Sequence, residues 1–254
     1  TCIDDLSTGV SENIDRWKRN KQFTFYNHDV TKKLNIDERI DRIWHLACPA
    51  SPYYYLKDPV RTACISFIGT YNFLELARSK NAQFLLASTS EIYGNQNIYP
   101  QMENNNGSVD ILNSRACYSE GKRLAETVTY EYSRKYNLDI KVARIFNTYG
   151  PNLRIDDMRV ISNFIVNSLL NKPLIIYGNG NQTRSFCYIS DLINGLLIYM
   201  NSKYKGPINI GKDKEISIKE LALLVKTKTN SSSQLKYMPL PENEPFRRIP
   251  SIKL

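Results

Sequence analysis

Histidine is scarce. His28 and His45 are the only two in 254 residues, too few for a histidine-rich metal centre, and they argue against a Ser/His/Asp triad. No metal site is expected. The five cysteines, Cys2, Cys48, Cys64, Cys117 and Cys187, are odd in number, scattered, and form no C-x-x-C pair. That spacing excludes a zinc knuckle or a disulfide framework. It reads instead as free buried thiols in a reducing, cytoplasmic setting. No run approaches the roughly 18 apolar residues that span a bilayer. No N-terminal apolar stretch suggests a signal peptide. There is no internal repeat and no low-complexity linker, only the polar patch Asn230-Ser231-Ser232-Ser233.

What is present suits one large α/β domain or a two-lobed enzyme. Hydrophobic residues make up 42% and charged residues 23%, an ordinary globular balance. The formal charge is +9, from 34 Lys+Arg against 25 Asp+Glu. Nucleic-acid binding needs cations gathered on one face. Here they are spread, apart from Arg16-Trp17-Lys18-Arg19-Asn20-Lys21. An anionic small-molecule ligand is the simpler partner, and no nucleic acid is expected.

Strands and helices alternate along the first part of the chain. Cys2-Ile3 reads as the end of a strand running into Asp4-Asp5-Leu6-Ser7-Thr8-Gly9, so residues are expected to precede Thr1. Phe23 to Asn27 is rich in aromatic and β-branched residues and predicts a strand. Arg42 to Ala47 predicts a buried parallel strand, stopped by Cys48-Pro49-Ala50-Ser51-Pro52. Helical spacing predicts a helix over 59–80, with Pro59 in its first turn. Gln83 to Ser88 is the next strand, then comes the helix carrying Tyr118, and Asp139 to Phe146 is a further strand. Such alternation argues for a doubly wound parallel sheet. An Asn-rich loop is expected over 95–114. Beyond Pro151 the character changes: a helix from Arg159 to Asn171, a strand at Pro173–Tyr177, a polar glycine-containing loop, a helix capped by Ser190-Asp191, and another from Ile216-Ser217.

The chemistry centres on Tyr118-x-x-x-Lys122. Residues four apart share a helix face, so phenol and ammonium point into one space. A cation beside a phenol is expected to lower its pKa and make Tyr118 an acid/base. Thr89-Ser90-Glu91 follows a strand, where an open α/β sheet places its chemistry. Asp4, at a strand end, suits either a ribose hydroxyl or a turn.

Together these motifs resemble the extended short-chain dehydrogenase/reductase family, most closely its UDP-glucuronate decarboxylase branch. The segments that carry the resemblance are His45 to Pro52, Ser88 to Gly94, Arg115 to Glu126, Arg144 to Pro151, Tyr177-Gly178, and Gln182 to Phe186. The resemblance implies an α/β doubly wound, Rossmann-like sheet with a smaller C-terminal substrate-binding lobe. Its NAD-binding domain would span 1–147, with the first βα unit preceding Cys2, and would also receive roughly 186–207. The substrate lobe would be mainly 148–254, interleaved with the first and short of its last segment.

The resemblance also implies NAD as cofactor, a UDP-sugar substrate, and loss of CO2 from UDP-glucuronate through a 4-keto sugar to give UDP-xylose. Tyr118 is the implied acid/base and Lys122 its tuning partner. Thr89 would hold the reacting oxygen, with Ser90 and Glu91 assisting decarboxylation. Asp4, Asp29, Val30, Leu46 and Ala47 match cofactor contacts. Asn147, Arg159, Tyr177, Gln182, Arg184 and Arg248 match the substrate side. A homodimer through a four-helix bundle, two helices from each subunit (about 59–80 and 118–136), is implied as well.

The sequence also departs from the family pattern. The glycine-rich phosphate loop is absent, Cys64-Ile65-Ser66 replaces K-T-N, and Ser119 and Ser251 stand where Asp is usual. A sister dehydratase carries Asp where this chain has Ser90. The readings left open are therefore another nucleotide-sugar 4,6-dehydratase or 4-epimerase, or a non-catalytic nucleotide-sugar-binding remnant.

Overall fold

The computed structural model describes residues 1–95, 98–241 and 246–254. Four parallel strands form the main sheet, in the order Ile208–Ile210, Ile140–Ile145, Gln83–Thr89, Arg42–His45. Gln83–Thr89 is the axis. It pairs with Arg42–His45 from Arg42↔Gln83 to His45↔Leu86, and with Ile140–Ile145 from Phe84↔Ile140 to Thr89↔Ile145. Strands covered on both faces read as continuous apolar runs, and six of its seven residues are buried.

Side chains alternate across a strand, and the cores divide accordingly. Phe84 and Leu86 join Leu74, Ala77, Ala125 and Val142 in a cluster under the helices on one face. Leu85 joins Leu192, Leu196, Met200 and Ile210 under the Ile189–Asn201 helix on the other. Helices thus cover both faces, as a doubly wound sheet requires.

One difference from expectation lies at the N-terminus. Cys2–Asp4 and Phe25–Asn27 form their own parallel ladder. Among the described residues no ladder joins it to Arg42–His45. The pair is held instead by packing of Ile3 on the first cluster and by Arg61, which reaches both Asp5 and Asp29.

The helix expected over 59–80 has three parts. Pro59–Cys64 and Thr70–Lys80 are α-helical, and Ile65–Gly69 between them is a π turn. Such turns gather at functional sites. This one seats Ser66 against Gly121, where a Cβ would lie 2.9 Å from Ser66 Cβ. Glycine is what lets the Ala116–Tyr136 helix come so near. Asn81 and Asn137, at φ 49° and 53°, end the Thr70–Lys80 and Ala116–Tyr136 helices in the left-handed turn that asparagine tolerates.

The remaining chain builds a second core. Helices Val160–Leu169 and Ile218–Lys228 pack Phe164, Leu221 and Ala222 against Leu174 and Ile176. The sequence placed two helix starts slightly wrong. Ser217 caps the Ile218–Lys228 helix through a reciprocal box with Glu220. Tyr188, not Ser190-Asp191, precedes Ile189–Asn201, and no side chain caps it. All five cysteines are free, but only Cys187 is buried; the others are half-buried. Among the described residues no helix is long and apolar enough to cross a membrane, and no cluster of three or more His, Cys, Asp or Glu could hold a metal.

Candidate active site

The carboxyl ends of the main strands open into a cleft of about 980 Å³, closed on its far side by the C-terminal lobe. Tyr118, Lys122, Thr89, Ser90 and Glu91 all line it. Thr89 ends its strand and accepts a hydrogen bond from Glu91 N at 3.2 Å. That bond starts the tight 3-10 turn Ser90–Tyr93, and the Thr89 side chain also hydrogen-bonds Tyr118. Lys122 is 3% exposed. One of its three N–H bonds goes to the Ala87 carbonyl at 2.9 Å; the others meet no acceptor among the described residues.

The expected acidification of Tyr118 is reversed. Burial pushes the phenol well above its ordinary pKa, the nearby Cys48 adds to this, and the Thr89 hydrogen bond only partly offsets it. The Lys122 ammonium is turned to a backbone carbonyl instead of to the phenol. Tyr118 is therefore a protonated phenol in the protein alone.

Glu91 is held the other way. Burial pushes its carboxyl up, but the guanidinium groups of Arg248 and Arg115 overrule that and bring it below the usual carboxylate range. Arg248 bonds it directly, and Arg115 Nη2 stands 3.5 Å away. Glu91 is thus an ionised anchor for cations, not a proton donor at rest.

The six expected substrate-side residues line the same cleft. Gln182 Nε2 donates to the Tyr177 carbonyl at 2.8 Å, and Tyr177 exposes its ring at the mouth. Arg184 Nη1 donates to the Thr183 carbonyl at 2.8 Å. Arg159 is clamped by the Asp157 carboxylate, with Nη2 at 2.9 Å from Oδ2, so it enters the site already neutralised. Among the described residues, the buried Nδ2 of Asn147 and Nε of Arg248 have no partner. Unmet donors in a cleft suit an oxygen-rich ligand, because a buried polar group without a partner is costly.

The expected cofactor contacts divide. Leu46 lines the cleft; Asp4, Asp29, Val30 and Ala47 do not. Val30 and Ala47 pack into or against the first core, and the Val30 carbonyl accepts from Asn72 Nδ2 at 3.0 Å. Asp4 Oδ1 accepts from Leu6 N at 2.7 Å, a turn bond. Asp29 accepts from Thr31 N and Oγ1 and from Arg61.

Two residues in the cleft region were missed. Tyr55 stacks on Tyr118, with ring centroids 5.0 Å apart, and Arg115 Nε donates to Tyr55 OH at 2.9 Å. The Arg115-Ala116-Cys117-Tyr118 run could have drawn attention to Arg115. Nothing in Tyr53-Tyr54-Tyr55 distinguishes the third tyrosine until the fold buries it.

Fold and cleft define a doubly wound α/β protein with a Tyr/Lys pair at the carboxyl ends of its strands. The family model described as GDP-mannose 4,6 dehydratase matches residues 2–238. The chain is 46% identical over 249 residues to UDP-glucuronic acid decarboxylase 3 of Arabidopsis thaliana, covering 98% of this chain and 72% of that protein. It is 44% identical over 253 residues to UDP-glucuronic acid decarboxylase 1 of Danio rerio, covering all of this chain and 60% of the relative. The chain thus spans about three-fifths of that relative's length. A UDP-glucuronic acid 4-epimerase from Bacillus cereus, solved with UDP-glucuronic acid and NAD, superposes with a TM-score of 0.83 at 26% identity, covering 98% of this chain and 81% of that one. The chain belongs to the GDP-mannose 4,6 dehydratase family, within the extended short-chain dehydrogenase/reductases.

Proposed function

We propose that this chain carries the site of an NAD-dependent decarboxylase that converts UDP-glucuronate to UDP-xylose through a 4-keto sugar. The observation that carries the reading is the composition of one cleft: three arginines (Arg115, Arg184 and Arg248) around a single Glu91, facing Tyr118, Thr89 and Ser90. Such a site suits a substrate with a carboxylate and a pyrophosphate, since guanidinium forks pair with both. The likeness to UDP-glucuronic acid decarboxylases supports the same substrate.

The residues fit the nicotinamide end of NAD: the unmet N–H groups of Lys122 suit ribose hydroxyls, and Leu46 offers an apolar wall at the cleft. When bound, NAD supplies the hydride acceptor for sugar C4 and its return. Tyr118 Oη takes the C4 hydroxyl proton, and Thr89 holds the same oxygen. Burial alone disfavours the Tyr118 phenolate, and a cationic ring held beside it would favour that form. A 4-keto uronate is a β-keto acid; it loses CO2 because the remaining electron pair is delocalised as an enolate, which takes a proton at C5 before the hydride returns to C4. Ser90 and the ionised Glu91 border the carboxyl, and Ser90 lacks the acid that expelling water would need.

A second reading, nucleotide-sugar binding without turnover, draws on Asp29, whose oxygens are already engaged. The 4,6-dehydratase and 4-epimerase readings differ in product. Chromatography with mass detection, after incubation with NAD+ and either UDP-glucuronate or UDP-glucose, separates them all. Loss of CO2 to a UDP-pentose supports the decarboxylase. A product of the same mass at a new retention time means epimerase, loss of water from UDP-glucose, whose C6 carries a hydroxyl, means dehydratase, and unchanged substrate with measurable binding means a binder. Tyr118→Phe should cut turnover by about 10²–10⁴-fold.

The chain is also proposed to dimerise. Val60, Phe67 and Tyr71 on one helical stretch and Leu124 and Tyr136 on the next are exposed apolar residues that a four-helix bundle would cover in part. Sedimentation as a monomer at micromolar concentration would refute this.

A further inference from the structure

Behind the cleft runs a buried polar network that the proposed chemistry does not use. Glu126 accepts from Ser88 Oγ at 2.5 Å and from Arg144 Nη2 at 2.8 Å. Arg144 Nη1 donates to Tyr93 OH at 3.1 Å. The Tyr93 hydroxyl donates to Asn209 Oδ1 at 2.7 Å. Asn209 Nδ2 donates to the carbonyls of Gln101 at 3.0 Å and Ser251 at 3.4 Å. The backbone completes the joint: Gln101 N donates to Ile249 O at 2.9 Å, and Ser251 N to Gln101 O at 2.8 Å. Tyr93 is fully buried, and Asn209 is 5% exposed.

The position of this network in the chain is informative. Ser88 immediately precedes Thr89. Glu126 lies one turn beyond Lys122. Tyr93 closes the turn that holds Ser90 and Glu91. Ser251 lies three residues after Arg248. Apart from Ser88, none of the network's side chains lines the cleft. The turn at Ser90–Tyr93 is therefore tied twice to the C-terminal segment: once in the cleft by Glu91 and Arg248, and once behind it by Tyr93 and Asn209.

We propose that Tyr93 and Asn209 are positioning residues that set the Glu91–Arg248 pair. Neither touches the substrate. A satisfied buried network has one low-energy arrangement, because any other leaves polar groups unpaired in a medium of low dielectric. That rigidity fixes the segment bearing Arg248 against the turn bearing Glu91 before a ligand arrives. The energetic benefit is ligand binding to a cleft already arranged. The binding side of the proposal rests on the nucleotide-sugar reading; the structural side does not.

The test uses Tyr93→Phe, which removes the hydroxyl and keeps the ring, and Asn209→Asp, which keeps the acceptor for Tyr93 and removes the donor to Gln101 and Ser251. Two readouts are needed. Hydrogen exchange is followed at the Gln101 and Ser251 amides, with the Leu86 amide in the central strand as the control for global destabilisation. UDP-glucuronate affinity is measured by calorimetry, in the native background and in Arg248→Ala. Both variants should speed exchange at Gln101 and Ser251 relative to Leu86. Both should weaken UDP-glucuronate about tenfold in the native background, and much less in Arg248→Ala, where nothing remains to position. Equal weakening in both backgrounds, or faster exchange with unchanged native affinity, overturns the proposal. If the native chain binds no UDP-glucuronate, the nucleotide-sugar reading falls. The exchange arm then decides alone: unchanged relative exchange at Ser251 in Tyr93→Phe shows that the joint holds nothing.

Discussion

Tyr55 lies flat against Tyr118, their ring centroids 5.0 Å apart and their planes 4° from parallel. Tyr55 is 1% exposed, and its hydroxyl accepts from Arg115 Nε at 2.9 Å, whose Nη2 faces Glu91. The candidate acid/base is thus packed against a ring that is itself anchored to Arg115 of the cleft. An offset stack contributes about 0.5–1.5 kcal/mol beyond area burial, and it fixes the plane in which the Tyr118 O–H lies. Tyr55→Phe retains the stack and releases Arg115; Tyr55→Leu removes the stack. Turnover of UDP-glucuronate should fall further in Tyr55→Leu than in Tyr55→Phe. Equal losses would assign the effect to the Arg115 hydrogen bond instead.

The Glu91 pairing has a pH consequence. Burial raises its carboxyl and the Arg248 and Arg115 guanidiniums lower it, with a net downward shift. A carboxylate whose folded pKa is depressed contributes stability that is present above its unfolded value, about 4.3, and lost as pH falls through the folded value. Glu91→Gln should therefore narrow its stability deficit against the native chain as pH drops below about 4. Thermal unfolding from pH 7 to pH 3 measures this, and a deficit constant across the range would refute it.

His45 titrates in a different window. Its ring stacks on Phe73 at 5.5 Å, its Nε2 is buried with no partner among the described residues, and burial together with the Lys122 charge lowers its pKa to about 3. Unfolded histidine takes its proton near pH 6.5. Stability from the neutral ring is therefore full above about 6.5 and declines as pH falls toward the folded value. His45→Phe keeps an aromatic ring and cannot take the proton. Between pH 7 and pH 5 the native chain should lose more thermal stability than His45→Phe does, before Glu91 begins to titrate. Parallel loss in both proteins would mean that His45 is not the responsible group.

The sequence made one part of this site legible and hid another. Tyr118-x-x-x-Lys122 could be read because helical periodicity alone puts the two side chains on one face. The main strands could be read because a strand buried on both sides must be apolar throughout, as Gln83–Thr89 nearly is. The pKa of Tyr118 could not, because it depends on how deeply the fold buries the phenol beside Tyr55 and Cys48, and on Lys122 turning to the Ala87 carbonyl. Tyr55, Tyr93 and Asn209 were invisible for a similar reason. Their partners lie far along the chain, 116 residues away for Tyr93 and Asn209, and no local pattern encodes such a distance. The π turn at Ile65–Gly69 leaves the apolar spacing of its helix almost unchanged, so periodicity passes over it.

Gly94 gives a prediction in which backbone geometry alone decides the outcome. It follows the Ser90–Tyr93 turn at φ +62°. A Cβ there would stand 1.9 Å from the Ser108 carbonyl oxygen. That carbonyl also accepts from Asn95 N at 3.0 Å, while Ser108 N donates to Tyr93 O at 2.9 Å, so it cannot swing aside without breaking the bonds that hold the turn. With ψ at −147° the backbone lies in a region open essentially only to glycine, which costs a residue with a Cβ about 1–3 kcal/mol, on top of the clash. Gly195, inside the Ile189–Asn201 helix, is the contrast. Its φ is helical, its nearest neighbour is Ile210 Cγ2 at 3.2 Å, and alanine returns up to about 1 kcal/mol of helix propensity. Gly94→Ala should lower the thermal midpoint markedly and weaken UDP-glucuronate binding with it, because Ser90 and Glu91 ride on the displaced turn. Gly195→Ala should leave both nearly unchanged. A Gly94→Ala chain as stable as the native one would mean that the Ser108 segment can retreat. The turn bearing Glu91 would then not be fixed from behind as described.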